Sequence, residues 1–413
     1  MQARGLMLSW WCELPPLHAR PFSASCYVST VCPPVSSTVA PPDFGRRVNC
    51  ILGMPFDTIG LDEAVDRVRA AAKGAGGLFF STPNLSFVGA VRRSALMRDS
   101  VIRSQMSVPD GVPLIWAAKL MGVRQRGRVA GSTMFDRIWQ APEADAAPLK
   151  VYFFGGQDGV AEQASDALNG EVIGAECVGY ASPGFGTVEE MSREEWLAPI
   201  RASGADLVVV SIGTQKGQDW ILRNYSSLQV PAIAYLGAVV NFVAGTVRRA
   251  PMSFRALGLE WLWRIKEEPA LWRRYAADAW TYARLVFGRV LYYRWHSRRA
   301  RTCANALAVF DAGAEGGAVL KIEGSWRGDH AEPLRLALEQ AAACNGPLRV
   351  DLDRCEAVDA EVVALLAMLW GHRRTLPWAS RFHADSKAVR RVIRSCCADY
   401  ILTDSQHSGK VDS

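Results

Sequence analysis

The sequence predicts an α/β chain: a parallel sheet covered on both faces, then a strongly basic segment, then a second and smaller α/β unit. Three observations carry this. Short apolar runs alternate with helix-like stretches from about Asn49 onward. Those runs end in turn-forming residues, at Thr82-Pro83-Asn84, Pro109-Asp110-Gly111, Gly155-Gly156, Gly213 and Gly237. The cationic charge gathers between Thr246 and Arg301. Strands that are apolar throughout and separated by helices mark a parallel sheet with helices on both sides. In such sheets ligands bind beyond the carboxyl ends of the strands.

In order, a strand is expected to begin at Cys50–Leu52, and Leu61–Ala72 reads as a helix. Leu78–Ser81 is a strand, 85–98 a helix, 105–108 a strand and Val112–Met121 a helix, followed by the basic loop 122–128. Strands are expected at 151–154, 207–212 and 232–236, with a helix at 160–169. The second unit runs from about Thr302 to Asp404. It offers strands at 306–310, 318–323 and 348–353 and helices at Glu332–Ala343, 361–374 and 387–401.

With 413 residues, two domains are expected, each able to bury a core. No apolar run reaches the roughly 18 residues of a spanning helix. The longest, 230–244, is interrupted by Asn241. A soluble or peripheral protein follows. The ten Cys are scattered without a CxxC pair, and Cys396 and Cys397 are adjacent. Reduced, buried thiols and a cytoplasmic protein are expected. His and Cys never fall at ligand spacing, so no metal is expected. Residues 1–44, with three Pro-Pro pairs and many Ser, read as a disordered leader or a misplaced start, and the tail after Asp404 is polar.

The segment 246–301 holds 13 Lys or Arg against 4 acids, and five of the chain's 14 Trp. Its charge of +9 exceeds the +6 of the whole chain. Such a segment suits anionic phosphates, an anionic membrane surface, or both. Arg255, Arg264, Arg273 and Arg274 can clamp a diphosphate through their planar forks, or simply line a solvated face. No nucleic-acid-binding motif is present, and no nucleic-acid partner is expected.

Thr82, Asn84 and Asp110 stand just past strand ends, which brings a hydroxyl, an amide and a carboxylate to one rim. The carboxylate can act there as a general base, although these residues also make ordinary turns. Gly155-Gly156 lacks both GxGxxG and GxxxxGK[ST] and reads as a sharp backbone turn. Ser211–Trp220 reads as a polar loop, in which Gln215, Lys216 and Gln218 either bind sugar or phosphate or meet solvent.

At these residues the chain resembles the WecG/TagA/CpsF family of bacterial glycosyltransferases, from about Asn49 to Leu291. The matching motifs are STPN at 81–84, VPDG at 108–111, RVAG at 128–131, FFGG at 153–156, SGADLVVVSIG at 203–213, and GTVRRAP with LGLEWLWRIKEEPALWRRY at 245–275. The resemblance implies a Rossmann-like fold with a helical C-terminal appendage. It implies metal-independent, inverting transfer of a hexose or N-acetylhexosamine, often N-acetylmannosamine, from a UDP-sugar to a polyprenyl-diphosphate-linked saccharide, with no cofactor. It makes Asp110 the base, Thr82 and Asn84 sugar ligands, Arg128 an active-site arginine, and Arg264 and Arg274 the arginines that close over the diphosphate. A third such position falls on Leu271, with Arg273 beside it as a substitute. The family's usual Gln falls on Gly217, with Gln215 and Gln218 nearby, and its usual Asp falls on Asn241. These departures bear on which sugar is carried.

The C-terminal unit resembles a STAS domain, through VDLDRCEAVDAEVVALLAML at 350–369 and DSKAVRRVIRSCCADYIL at 385–402. Where regulatory STAS domains carry a Ser, this chain has Ala360, so a phosphorylation switch is not expected. Docking to a protein partner is the expected role. The expected partners are therefore a UDP-sugar, a lipid-linked acceptor, the inner face of the cytoplasmic membrane and a protein met through the STAS-like unit. A homo-oligomer is compatible with the sequence. Two other classes stay open at this point: a non-catalytic scaffold, and a nucleotide-dependent oxidoreductase that lacks its GxGxxG loop.

Overall fold

The computed structural model describes residues 40–74, 76–142, 147–247, 250–251, 254, 260–267, 269–297, 305–313 and 317–403. The expected leader up to residue 39, Arg255, the stretch 298–304, the tail 405–413 and the side chain of Arg264 lie outside the described residues.

The chain opens on a hairpin, β1 (Val48–Ile51) and β2 (Met54–Asp57), paired antiparallel. The strand expected at Cys50–Leu52 therefore stands outside the parallel sheet. Gly53, at φ +87°, makes the turn. Every β2 side chain is buried, so the hairpin lacks the in–out alternation that would have separated it from a parallel strand.

After α1 (Leu61–Ala72) come β3 (Leu78–Ser81), α2 (Leu85–Arg93) and α3 (Ala95–Ile102). The helix expected over 85–98 is thus two helices. Ser94 breaks it, because its extended backbone lets its hydroxyl accept from Met97 N and cap α3. Next come β4 (Met106–Ser107), α4 (Val112–Met121), α5 (Gly131–Gln140), β5 (Leu149–Gly155), α6 (Val160–Gly170), β6 (Ala175–Ala181), α7 (Glu194–Ala202), β7 (Leu207–Ser211), α8 (Thr214–Leu228), β8 (Ala232–Tyr235) and α9 (Val239–Val243). The polar loop expected at Ser211–Trp220 is mostly the start of α8, whose inner side is set by Trp220, Ile221 and Asn224.

β3 to β8 form a six-stranded sheet in the order β4-β3-β8-β7-β5-β6, every neighbouring pair parallel. Alternate side chains fill two cores. Phe80, Val151, Phe153, Leu207 and Val209 face one side, and Phe79, Phe154, Val208, Val210 and Ile233 the other.

The basic segment is helical where it is described. It contains α10 (Glu260–Glu267) and α11 (Trp272–Leu285), which runs through a π-turn at Val286–Val290 into α12 (Leu291–Ser297). The last unit is a mixed five-stranded sheet. Its elements are β9 (Leu307–Asp311), β10 (Ala318–Ser325), α13 (Glu332–Ala343), β11 (Leu348–Asp351), β12 (Cys355–Ala357), α14 (Ala360–Arg373), β13 (Ser380–His383), α15 (Lys387–Ser395) and α16 (Tyr400–Thr403). The helix expected over 387–401 is split where Cys397 adopts φ +62°.

The last unit is not a free module. One continuous core joins Ile51, Met54 and Phe56 of the hairpin, Met97 and Ile102 of α3, Val290 and Tyr293 of the appendage, and Leu366, Trp370 and Ile393 of the last unit. α14 is buried on nearly every side, with the hairpin and α3 packed against it. Phe44 is fully buried, and its carbonyl accepts from Arg335 of α13. Gly53 N donates to Cys396 O (2.6 Å), and Tyr400 Oη donates back to Gly53 O (3.0 Å). Among the described residues, no helix is long and apolar enough to cross a membrane.

Candidate active site

The ends of β3 and β4 are neighbours, with Ser81 beside Ser107. The loops that leave them are laced together by backbone bonds. Val108 N donates to Ser81 O (3.0 Å), Asp110 N to Pro83 O (2.9 Å) and Val129 N to Pro109 O (2.9 Å). The end of β4 is held from beneath by Asp57. That fully buried carboxylate accepts from Arg46 Nη2 (2.6 Å) and from Ser107 N (2.7 Å). α5 begins close by: a Cβ on Gly131 would stand 3.1 Å from Thr82 Oγ1 and 2.7 Å from a Leu236 methyl. This close approach needs glycine.

Thr82, Asn84, Asp110 and Arg128 are thereby brought to one rim. Thr82 is buried. Asn84 is exposed, and its Oδ1 caps α2 by accepting from Ser86 N (3.1 Å). Arg128 Nη2 donates to Asp110 Oδ1 (3.2 Å). The other partner of Arg128 is Glu260 of α10, which accepts from Nη1 (3.0 Å) and Nη2 (2.7 Å). Burial pushes the Asp110 carboxyl up to about 7, with Arg128 pulling it down and Glu260 pushing it up. A carboxylate in that range accepts a proton readily near neutral pH.

Glu260 is the residue that sequence reasoning missed. It sits inside a cationic stretch, and counting charge across the stretch hid the one acid in LGLEW. Ser86, Asp278 and Tyr282 were missed as well. Arg274 Nη2 donates to Ser86 Oγ (3.1 Å), which donates to Asp278 Oδ2 (2.8 Å). Tyr282 Oη donates to Pro113 O (2.7 Å). The appendage thus touches the first turns of α2 and α4, which directly follow Asn84 and Asp110. Arg273 is exposed, its guanidinium 5.8 Å from the centre of the Trp272 ring.

The other expected ligands lie further along the same rim. Asn241 is in α9, after β8, and its carbonyl accepts from Thr246 N (3.1 Å). Gln215 and Gln218 are in the first turns of α8, after β7. Gln215 is exposed. Gln218 is buried, and neither of its amide atoms has a hydrogen-bond partner among the described residues. The Tyr235 ring explains Gly217: a Cβ there would come within 2.5 Å of it. The Tyr235 hydroxyl is 3.1 Å from Thr214 Oγ1.

Between β5 and β7 the chain departs in opposite directions, to β6 and to β8, which makes the crevice where doubly wound sheets take nucleotides. Gly155 (φ +105°) serves it, since a Cβ there would stand 2.7 Å from Ser211 O. At the far edge, Tyr152, Tyr180, Trp196, Asp158, Glu162 and Glu195 line a cavity of about 420 Å³. Its three carboxylates are unsuited to a diphosphate, and β6 and β4 are opposite edges of the sheet. Among the described residues, one group brings three potential metal ligands within 4.8 Å of one another: Asp353, His383 and Asp385, in the last unit. There His383 Nδ1 is 2.7 Å from Asp353.

A parallel sheet with a carboxyl raised to about 7, an arginine and a basic helical cover at its carboxyl rim makes an α/β protein with the groups for acid–base chemistry on an anionic ligand. Residues 49–297 match the glycosyl transferase WecG/TagA/CpsF family, and the chain belongs to that family. Residues 310–402 match the family described as Mlab, STAS domain. Among curated proteins, the chain is similar to an N-acetylglucosaminyldiphosphoundecaprenol N-acetyl-beta-D-mannosaminyltransferase of Bacillus spizizenii. The two are 31% identical over 168 residues, which is 40% of this chain and 62% of that protein.

Proposed function

We propose that the protein is an inverting glycosyltransferase that moves a hexose or N-acetylhexosamine, of the N-acetylmannosamine type, from a UDP-sugar to a polyprenyl-diphosphate-linked saccharide. The observation that carries this is Asp110, with a carboxyl pushed up to about 7 at a rim that also holds Arg128 and Thr82. The relative from Bacillus supports the choice of donor and acceptor.

In this reading the UDP-sugar lies in the crevice beyond β5 and β7, its sugar toward Asp110. The acceptor hydroxyl gives its proton to Asp110 and attacks the anomeric carbon. The bond from that carbon to the diphosphate oxygen breaks, and the sugar is inverted. Arg274, with Arg264, stabilises the charge on the leaving UDP. Glu260 occupies Arg128 until substrate arrives.

The acceptor's lipid tail stays in the membrane, and the protein sits on the cytoplasmic face. Trp280, Phe287, Leu291 and Trp295, all exposed, stand on the helical run of the appendage, and Trp116 and Leu120 are exposed on neighbouring α4. Aromatic side chains interleaved with arginines suit a membrane interface. The test is UDP release from a panel of UDP-sugars with and without lipid-linked acceptor. Release that requires the acceptor supports the proposal, and no release from any donor rejects it.

A further inference from the structure

The long appendage helix is fastened unevenly. Its first half, from Trp272 to Arg284, buries no side chain fully. That half meets the catalytic rim through Arg274 and Asp278 on Ser86 and through Tyr282 on Pro113, and the partly buried Tyr282 ring also packs against the apolar core. Its apolar anchorage lies at the other end, where Leu285, Val286, Val290 and Tyr293 are buried. At that end α4 of the catalytic unit packs against it, and the STAS-like unit grips it as well. Ala360 N, at the start of α14, donates to the Tyr293 hydroxyl (2.9 Å). Arg289 Nη1 donates to Arg394 O (2.9 Å) and pairs with Asp399.

The Tyr293 contact completes the end of α14. Asp359 Oδ1 accepts from Glu361 N and Val362 N, and the Asp359 carbonyl accepts from Val363 N. Ala360 N is satisfied from outside the unit, by Tyr293. α14 in turn is clamped by the hairpin and α3 of the catalytic unit. A closed circuit results: catalytic unit, α14, appendage, catalytic rim.

We propose that the STAS-like unit acts within the chain as the anchor that holds the appendage over the catalytic rim, and that Tyr293 is a positioning residue for transfer. Tyr293 touches no substrate. It acts through Arg274, 19 residues and about 28 Å away along the helix. A helix that is continuous through its π-turn and fixed at its far end keeps its near end in register with Ser86 and Pro113. Released from the STAS-like unit, it keeps the packing of Tyr282 and α4 and the polar contacts at Ser86 and Pro113, of which the Arg274 contact is exposed. Such contacts are individually weak. Asp359 and Ala360 then cap and dock a helix, a use that needs no hydroxyl at position 360.

The kinetic arm of the test rests on the function proposed above; the exchange arm does not. In the full chain, Tyr293→Phe removes one hydroxyl and leaves the ring to pack. Amide hydrogen exchange across 272–285 is expected to speed up about tenfold, with exchange in the six-stranded sheet unchanged. kcat/KM for transfer is expected to fall about five- to twentyfold. In the Arg274→Ala background, Tyr293→Phe is expected to change kcat/KM less than twofold, because both act on one contact. Unchanged exchange across 272–285 overturns the proposal, and so do two substitutions whose effects simply multiply. If Tyr293→Phe does not fold, Asp399→Asn loosens the same end and is read the same way. If wild type turns over no UDP-sugar, the proposed function falls while the exchange result still decides this inference.

Discussion

The charge on Asp110 is set by burial and by two charged neighbours, and removing one of these shifts it in a known direction. Burial raises its carboxyl to about 7, Arg128 lowers it and Glu260 raises it. As the proposed base, Asp110 works only when ionised. At a value of about 7, roughly one tenth is ionised at pH 6 and nine tenths at pH 8, so kcat/KM rises about tenfold across that interval. Glu260→Gln removes the negative charge that opposes ionisation. It also removes the partner that shares Arg128, whose Nη2 already lies 3.2 Å from Asp110. Both changes lower the Asp110 value. The acid limb of the profile then moves to lower pH, and the variant loses less rate than wild type between pH 8 and pH 6. The assay is initial-rate UDP release from pH 5.5 to 8.5 at subsaturating donor, which reads the free enzyme. A limb that moves upward, or a wild type with no acid limb, refutes the assignment of Asp110 as base.

Four further outcomes are expected. Arg274→Ala lowers kcat/KM for the UDP-sugar about ten- to hundredfold, the range of one charge-assisted contact, without loss of fold by circular dichroism. Phe287→Glu with Trp295→Glu cuts sedimentation with anionic liposomes at least about tenfold, since each ring contributes about 1.5–3 kcal/mol when buried in lipid; unchanged sedimentation removes the membrane contact. Gly53→Ala destabilises by more than about 1 kcal/mol in urea denaturation, because its φ of +87° disfavours a side chain and a Cβ would stand 2.7 Å from Cys397 O. Gly170→Ala, where a Cβ meets nothing within 4 Å, stays within about 1 kcal/mol of wild type.

Much of the catalytic unit was legible because its strands are short, apolar and closed by turn chemistry. The same punctuation located Thr82, Asn84 and Asp110. What was not legible depends on contacts distant in sequence. The hairpin read as a parallel strand because the last unit buries its outer face. Ser94 looked like one more residue of a helix until its hydroxyl was seen to cap the next one. The polar start of α8 read as a loop, since Gln215, Lys216 and Gln218 outnumber the apolar positions that appear only from Trp220. Glu260 was invisible for a related reason: it reaches the site by pairing with Arg128, 132 residues earlier, which brings its charge close enough to act on Asp110. The STAS-like unit was recognised by its motifs, but its intimacy with the catalytic unit was not, because Gly53 meets Cys396 across more than 300 residues of chain.

The most direct measurement compares wild type and Asp110→Asn in UDP release from UDP-N-acetylmannosamine at pH 8, with a polyprenyl-diphosphate-linked N-acetylglucosamine acceptor. Wild type is expected to release UDP only when acceptor is present, and folded Asp110→Asn at least about 100-fold more slowly. A folded Asp110→Asn protein that turns over at the wild-type rate would contradict the account.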